Sequence, residues 1–284
     1  MADALASGAS VRKDVGVQVP PRPLLELGDF QVDHVVDGVG SFRPTRTFVG
    51  STDEQWAMHR DLLDADGRLP ITMGGFLVRG LGRTVLIDAG YGQGEFMGIK
   101  NGALLDNLRV LGVAPDDVTD LVFTHLHIDH IGWASADGEV VFPNATYRCA
   151  PADWEHFMVQ NPGAEAERLE PAIDHFERWD GEATILPGLD AMSTPGHTPG
   201  STTLVLSAGD DRLMFLGDVV HCPVQLEDDE WAALFDVDPA LAKRTRNALA
   251  RELEGTNVRV SGAHFPEMTF GRLVLAEGRR RFVV

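Results

Sequence analysis

Apolar and polar residues alternate along most of the chain, and the period changes from one segment to the next. Residues 30–36 read FQVDHVV, with apolar side chains at nearly every second position, as in a half-buried strand. Two β-rich runs follow at 71–78 and 84–87, separated by the glycine-containing turn RGLGR. In residues 103–111 the apolar positions recur at helical spacing instead. The first half is therefore predicted to mix strands with helices.

The second half repeats this arrangement. Helices are predicted over 151–159, over the Glu-rich segment 165–179, and from Pro239, with Asp238 as N-cap, until Gly255. Short strands are predicted at 121–123, 145–148, 184–186, 191–193, 202–206, 213–216 and 258–260. Strands that cluster in pairs between helices, in two halves, indicate an α/β sandwich with the sheets inside and the helices outside.

Composition and charge narrow the class of protein. The chain has 284 residues, of which 44% are hydrophobic and 24% charged, as in ordinary globular domains. Its formal charge of −19, from 24 basic and 43 acidic side chains, offers no electrostatic footprint for nucleic acid or an anionic membrane surface. No apolar stretch approaches the ~18 residues of a transmembrane helix. We expect neither nucleic acid nor a membrane as partner.

The N-terminal residues and the cysteines suggest how the chain is organised and where it resides. Residues 1–24 combine small residues with a proline cluster, which predicts a flexible arm before a single domain at 25–284. An arm that docks on a partner subunit is the alternative. We find no secretory pattern, and Cys149 and Cys222 lie far apart, which favours a reducing cytoplasm over a disulfide-stapled scaffold.

The densest group of candidate metal ligands is the sequence THLHIDH at residues 124–130. Histidines at i and i+2 of an extended segment point the same way, so His125 and His127 can bind one ion. If the chain then turns into a helix, Asp129 and His130 reach a second position nearby. Imidazole and carboxylate groups suit Zn²⁺, Fe²⁺ or Mn²⁺.

Three more candidate ligands follow predicted strands later in the chain. His197 lies in the loop TPGHTPG, Asp218 follows the strand that ends near Gly217, and His264 follows the strand near residue 260. The carboxyl ends of strands are where α/β scaffolds place functional side chains. With the first group they make seven ligands, enough for two metal ions that share a carboxylate.

The order of these motifs resembles that of the metallo-β-lactamase-fold hydrolase superfamily. The likeness covers about residues 30–270 and includes an upstream LIDAG sequence at residues 86–90. It implies an αββα sandwich of two mixed sheets flanked by helices. The sequences GDVVH, FDVDP and GAHFP are similar to the branch of quorum-quenching lactonases and methyl parathion hydrolase. Many lactonases have Tyr three residues after the bridging Asp, where this chain has His221, as do methyl parathion hydrolase-like members.

The resemblance also implies roles for the candidate residues. One divalent ion is held by His125, His127 and His197, the other by Asp129, His130 and His264, and Asp218 bridges them. The ions are expected to be zinc, with iron, manganese or cobalt as alternatives, and to share a hydroxide nucleophile. Asp129 would orient that hydroxide and shuttle its proton, and His221 at the pocket mouth would stabilise the oxyanion or protonate the leaving group. Asp88 would accept a hydrogen bond from a ligand imidazole.

The expected reaction is hydrolysis of a small neutral ester, with a lactone as the leading substrate. Organophosphate triester hydrolysis is one alternative. A glyoxalase II-like thioesterase is another, with Arg272, Arg279, Arg280 and Arg281 as the basic C-terminal residues. Candidate walls of the substrate pocket are Trp133, Phe265, Phe96, Met97 and Phe157. A homodimer is expected by analogy with relatives.

Overall fold

Two β-sheets form the centre of the fold. The structure is a computed structural model that describes residues 25–179 and 181–284, so the arm predicted at 1–24 lies outside the described residues. The boundary of the domain at residue 25 therefore stays a prediction. The larger sheet has seven strands in the spatial order Leu25–Leu27, Phe30–Phe42, Leu69–Gly80, Arg83–Ile87, Asp120–Val122, Thr146–Cys149 and Phe176–Arg178.

Both sheets are mixed. In the larger sheet the first four strands pair antiparallel and the last four pair parallel. The smaller sheet runs in the order Ala183–Leu186, Leu189–Ser193, Thr202–Ala208, Asp211–Phe215 and Arg259–Ser261. Its last pair is parallel and the others are antiparallel. Because the last strand returns beside Asp211–Phe215 in parallel, the carboxyl ends of both strands lie at one edge.

Successive side chains of a strand point to opposite faces of a sheet, and this alternation explains why each sheet packs on the other sheet with one face and on helices with the other. Phe76, Val78 and Ile87 face the second sheet and share a core with Leu204 and Phe215. The alternate residues Leu77 and Leu86 face outward and pack on Leu104 and Leu108 of a covering helix. Across the molecule, helix Pro239–Leu253 covers the second sheet. The predicted αββα sandwich is confirmed.

The helices are short except for the one that covers the second sheet. The α-helices are Pro44–Thr47, Asp53–Trp56, Leu104–Val110, Ile128–Ile131, Pro151–Trp154, Ala164–Leu169, Val224–Glu227 and Pro239–Leu253. Short segments of 3₁₀-helix occupy Ala57–Leu62, Pro115–Asp117, Glu170–His175, Gly217–Val219 and Pro266–Met268, and Glu155–Gln160 is a π-helix. No described helix has both the length and the apolar composition needed to cross a membrane.

Four small two-stranded ladders complete the described structure. They are Phe48–Val49 with Ala232–Ala233, Gly94–Phe96 with Ile99–Asn101, Ser135–Ala136 with Glu139–Val140, and Arg272–Ala276 with Arg279–Val283. The sequence pattern did not predict any of these pairings.

One predicted helix is wrong. The segment predicted as a helix over 165–179 is α-helical only to Leu169, and Pro171 lies in the 3₁₀ turn that follows. A proline inside an α-helix removes a backbone donor and clashes with the preceding turn. The chain then extends as Phe176–Arg178, which pairs in parallel with Thr146–Cys149 as the edge strand of the larger sheet.

The other predicted elements agree with the structure within a few residues. Helix Pro239–Leu253 begins as predicted: the carboxylate of Asp238 accepts a hydrogen bond from the backbone N–H of Leu241 at 2.9 Å. Cys149 and Cys222 are both buried and free, as expected for a chain without a disulfide between them.

Candidate metal centre

The first group of candidate ligands lies where the central strand Asp120–Val122 of the larger sheet ends. The chain leaves this strand in an extended conformation that carries His125 and His127, and it then turns into helix Ile128–Ile131, which carries Asp129 and His130. The strand–turn–helix sequence predicted from THLHIDH is therefore present.

The second sheet supplies the other three candidate ligands. His197 lies in the loop between strands Leu189–Ser193 and Thr202–Ala208. Asp218 lies in the 3₁₀ turn after strand Asp211–Phe215, and His264 follows the parallel neighbouring strand Arg259–Ser261. The two sheets thus bring these side chains to one edge of the sandwich.

The seven side chains converge at one site, where nitrogen and oxygen atoms form groups within 4.8 Å of one another. Two of these groups, His125–His127–His197 and Asp129–His130–His264, are the ones that the family resemblance implies. Two further groups, His125–His130–Asp218 and His197–Asp218–His221, overlap with them. Asp218 lies between the first two groups: its Oδ1 is 3.3 Å from His130 Nε2 and its Oδ2 is 3.4 Å from His197 Nε2. The carboxylate is therefore placed to contact both groups.

The second nitrogen of several imidazoles is fixed by a neighbouring acceptor. His130 Nδ1 lies 2.9 Å from a carboxylate oxygen of Asp88, as the sequence predicts. His197 Nδ1 lies 3.0 Å from Asp236, and His264 Nδ1 lies 2.9 Å from the backbone carbonyl of Thr72. Such contacts set the orientation of a ligand ring and direct its other nitrogen inward.

Asp153 joins the loops that carry the first group. Its buried carboxylate accepts hydrogen bonds from the backbone N–H of Leu126 and the hydroxyl of Thr198, both at 2.9 Å, and from the N–H of Gly200 at 2.6 Å. Leu126 lies between the first two histidines, and Thr198 follows His197. One side chain therefore sets the distance between ligands from both sheets.

The loop around His197 also requires a glycine. Gly196 has a φ of +134°, and a Cβ atom there would lie 2.2 Å from the backbone nitrogen of Ala242. A larger residue would force the loop away from helix Pro239–Leu253. The sequence TPGH is thus explained by a close approach between backbones.

Unpartnered polar atoms show that this cluster suits a cation. His125 Nε2, His130 Nε2 and Asp218 Oδ1 are buried and have no hydrogen-bond partner among the described residues. Buried polar atoms normally have a partner. Imidazole nitrogens and carboxylate oxygens that face one another are the donor set of Zn²⁺ and related divalent ions, so the residues fit metal ions.

The pKa values of the clustered side chains agree with a metal site. Burial lowers the pKa of His125 well below its usual value and that of His127 to about 3. Burial would raise the pKa of Asp218, but the nearby imidazoles outweigh it and hold that pKa well below its usual range. Burial lowers the pKa of His264, but the carboxylate of Asp218 outweighs burial and raises it to about 10. A bound cation would replace that proton.

His221 lies deeper than the sequence analysis expected. Its side chain is 8% exposed, and its Nε2 lies 3.2 Å from Asp218 Oδ2, on the floor of the cavity instead of at the mouth. Its Nδ1 is buried without a hydrogen-bond partner among the described residues. Of the two ring nitrogens of His221, only Nε2 therefore lies near an acceptor, the carboxylate of Asp218.

A cavity of about 720 Å³ opens above the cluster. Its floor contains His127, Asp129, His197, Asp218, His221 and His264. Its apolar lining comprises Phe42, Ile71, Met73, Phe96, Met97, Ile128, Leu234 and Phe235. Phe96 and Met97 thus lie where the sequence analysis expects a pocket wall.

The other three predicted wall residues do not line this cavity. Trp133 is a core residue, and its indole N–H donates a hydrogen bond to the buried carboxylate of Asp37 at 2.8 Å. Phe265 packs in the core under the second sheet, with its ring against Phe282. Phe157 is 7% exposed, and its ring packs edge-on against His127 at a centroid distance of 5.5 Å. These three residues therefore lie outside the cavity lining, and Phe157 instead supports a candidate ligand.

The sequence pattern does not identify every residue of the site. Asp236 and Asp153 reach the histidine loops from distant segments. The pattern also gives no indication that Arg43, Arg46 and Arg68 line the cavity. The motif FDVDP contains Asp236, and its carboxylate is a local signal for a partner of a ligand histidine.

Known proteins with sequences similar to this chain include lactonases. The N-acyl homoserine lactonase of Bacillus cereus is 27% identical over 150 residues, which cover 51% of this chain and 56% of that protein. The N-acyl homoserine lactonase AttM of Rhizobium radiobacter is 27% identical over 182 residues, 54% of this chain and 65% of that protein. The chain thus spans little more than half the length of the curated relatives it matches first.

Solved structures show the same fold over nearly the whole chain. The dizinc quorum-quenching lactonase AidC superposes with a TM-score of 0.81 at 23% identity, covering 92% of this chain and 96% of that one. The hydrolase AbOPH of the beta lactamase superfamily gives 0.78 at 25% identity, with the same coverage of 92% and 96%. The sequence profile of the metallo-beta-lactamase superfamily matches residues 75–264, which include all seven candidate ligands. The chain belongs to the metallo-beta-lactamase superfamily.

Proposed function

We propose that this protein is a metal-dependent hydrolase that opens the ester bond of a lactone. The observation that carries the proposal is the convergence of five imidazoles and two carboxylates, with unpartnered atoms facing one another, on the floor of a cavity with an apolar wall. The curated relatives that the chain matches are N-acyl homoserine lactonases, which supports this substrate class.

The seven side chains would hold two divalent ions, with zinc as the proposed metal because one structural neighbour is a dizinc lactonase. His125, His127 and His197 would bind one ion and Asp129, His130 and His264 the other, with Asp218 between them. When bound, the ions would activate water as the nucleophile and polarise the scissile carbonyl.

The remaining chemistry belongs to the protein's own groups. Asp129, whose side chain is 15% exposed, lines the cavity and is proposed to accept a proton and return it to the leaving alkoxide. His221 lies beside Asp218 and is proposed to donate a hydrogen bond to the oxygen on which negative charge develops. The apolar wall would exclude water from the acyl chain of a neutral ester.

The thioesterase alternative has less support than the lactonase. It depends on basic C-terminal residues near the substrate, but Arg279, Arg280 and Arg281 line a separate depression beside Glu227. Arg281 and Arg280 pair there with Glu227 and Asp229. They are absent from the lining of the cavity above the candidate ligands.

The proposal is tested by measuring turnover of the zinc-loaded protein on an N-acyl homoserine lactone, an aryl ester, a phosphotriester and a thioester. We expect the lactone to give the highest kcat/KM. Asp218→Asn should lower the kcat/KM for the lactone by at least about 10³-fold, because metal ions supply several kcal/mol of transition-state stabilisation and the substitution would affect both ions. Asp211→Asn, at an exposed position at the start of the strand that leads to Asp218, is the matched control. A higher kcat/KM for the phosphotriester would favour a triesterase, and lactone turnover that survives complete metal removal would refute the proposal.

A further inference from the structure

One wall of the cavity carries three arginines, Arg43, Arg46 and Arg68, which we call the arginine wall. They lie beside the apolar residues Phe42 and Ile71, above the floor that holds the candidate metal ligands. None of the three takes part in the chemistry proposed above. Their role must therefore be sought in what the cavity binds.

The register of the larger sheet explains why these arginines lie on one side of the cavity. Phe42 and Leu69 are the last paired residues of two antiparallel strands. Arg43 and Arg68 each lie one residue beyond this pair, outside the ladder, and therefore at the same end of the two strands. Arg46 lies three residues further along, in helix Pro44–Thr47. The fold thus concentrates three cations at one place.

The contacts of the arginine wall leave it free to bind an anion. Arg68 is held by Ser41, whose hydroxyl accepts from Nε at 2.9 Å and whose backbone carbonyl accepts from Nη2. This leaves Nη1 without a hydrogen-bond partner in the described part of the chain. Arg43 and Arg46 are exposed, and neither side chain makes an ion pair or hydrogen bond with residues 25–179 or 181–284.

The grouping of the three arginines in one cavity sets them apart from the other arginines of the described residues. Eight of those lie within 4.0 Å of a carboxylate: Arg79, Arg83, Arg109, Arg148, Arg246, Arg251, Arg280 and Arg281. The three residues of the arginine wall have no such ion pair, although Glu165 also lines the cavity, and all three line the same space above the candidate ligands. Unpaired guanidinium groups grouped in a cavity bind carboxylates, often in bidentate fashion.

We propose that the arginine wall is a subsite for a carboxylate on the substrate. The preferred substrate is then a monoanion: its scissile group is a neutral lactone over the metal site, and its acyl chain crosses the apolar wall and ends in a carboxylate. This inference rests on the proposed lactone hydrolysis. It adds one negative charge to the neutral substrate expected from the net charge of the chain.

The test compares two lactones that differ only at the end of a six-carbon acyl chain. N-hexanoyl homoserine lactone ends in a methyl group, and N-adipoyl homoserine lactone ends in a carboxylate. With the zinc-loaded protein we expect kcat/KM to be at least tenfold higher for the adipoyl compound, mainly through a lower KM. Raising the ionic strength should reduce the ratio, because salt screens interactions between exposed charges.

Substitution of the arginines identifies the subsite. In the double variant Arg43→Gln/Arg46→Gln the ratio of kcat/KM values should fall at least tenfold, and Arg68→Gln should lower it as well. The control is Arg212→Gln, an exposed arginine on strand Asp211–Phe215 of the other sheet, which should leave the ratio unchanged. Thermal unfolding and zinc content of each variant show whether its fold and metal site are intact.

The outcomes separate this inference from the proposed function. Turnover of the hexanoyl lactone equal to or above that of the adipoyl lactone would refute the subsite while lactone hydrolysis stands. A ratio that survives in the double variant would also refute it. If neither lactone is hydrolysed, calorimetric binding of the two compounds to the zinc-loaded protein decides: equal affinities refute the subsite, and tighter adipoyl binding that is lost in the double variant supports it.

Discussion

At the scale of single residues, the position of Asp218 determines what its neighbours do. One carboxylate lies within 3.8 Å of imidazole nitrogens of His125, His130, His197, His221 and His264. The imidazoles stabilise this buried carboxylate, and a bound cation would satisfy the nitrogens among them that have no hydrogen-bond partner in the described residues, His125 Nε2 and His130 Nε2. His221 differs from the other four, because the superfamily motifs do not include it among the ligands.

His221→Ala is expected to lower kcat for lactone hydrolysis by about 10²-fold, the lower end of what general acid–base groups contribute. Zinc content should be unchanged, because the proposed ligand set is complete without His221. Steady-state kinetics and metal analysis measure both, with His156→Ala, outside the cavity lining, as the control. An unaltered kcat/KM would show that His221 has no part in catalysis, and loss of zinc would make it a ligand.

Asp236→Asn should weaken zinc binding about 10–100-fold, the usual effect of removing a carboxylate behind a ligand histidine. The carboxylate of Asp236 is fully buried and lies 3.0 Å from His197 Nδ1. Competition with a chelator measures the affinity. Asp238→Asn, two residues along, is the control, because asparagine caps a helix as well as aspartate does. Equal zinc affinity in both variants would contradict the prediction.

At the scale of elements, the site depends on how loops from two sheets are joined. Strand ends and helix starts place the individual histidines, but Asp153 in helix Pro151–Trp154 links the loop around Leu126 to the loop around Thr198. A chain with the same strands and without this link would hold the histidines less rigidly.

Asp153→Ala should lower the free energy of unfolding by about 3 kcal/mol, because each buried donor left without an acceptor costs roughly 1–3 kcal/mol. The expected fall in Tm is roughly 10 °C for a domain of this size. Differential scanning calorimetry of the metal-free protein isolates this effect from metal binding. Asp211→Ala, an exposed aspartate without a hydrogen-bond partner for its side chain in the described residues, serves as control. Matching Tm values for the two variants would exclude the stabilising role.

The elements also show which features of the site could be predicted from the sequence. The metal motif is contained in seven consecutive residues, so strand, turn and ligand spacing are visible together. The contacts of Asp153 span 27 and 47 positions, to Leu126 and Gly200, and no local pattern reports them. The helix predicted to residue 179 was wrong for a related reason: its last residues form a strand only because Thr146–Cys149 offers a free edge.

At the scale of the whole molecule, the apolar layers are separate from the metal centre. The core between the sheets and the cores under the helices consist of aliphatic and aromatic residues from strands and helices. The candidate ligands lie at one edge of this sandwich. The fold should therefore persist without metal, while the edge loses stability.

Removal of metal by a chelator should leave the far-UV circular dichroism nearly unchanged and lower Tm. A ligand at 100 times its Kd stabilises the folded state by about 2.7 kcal/mol, which corresponds to a Tm change of roughly 5–10 °C. About two zinc ions per chain, measured by elemental analysis, should restore Tm and activity. Loss of secondary structure on chelation would show that the metal holds the fold together, and a stoichiometry of one would remove the dinuclear assignment.

Fold, family and the metal-ligand motifs could be predicted at this scale from the sequence, because each motif is short and the motifs follow one another in the order typical of the superfamily. The pocket was predicted less well: Phe96 and Met97 line it, whereas Trp133 and Phe265 are core residues. The homodimer and the cytoplasmic location stay predictions.

The arginine wall has a consequence for how this protein can change over evolutionary time. Its three residues lie on residues 43–68, a stretch without any candidate metal ligand and outside the part matched by the family profile, residues 75–264. Mutations there can alter which molecules enter the cavity while the hydrolytic centre is inherited intact. New specificities are thus open to the lineage through a few codons, without passing through an inactive ancestor.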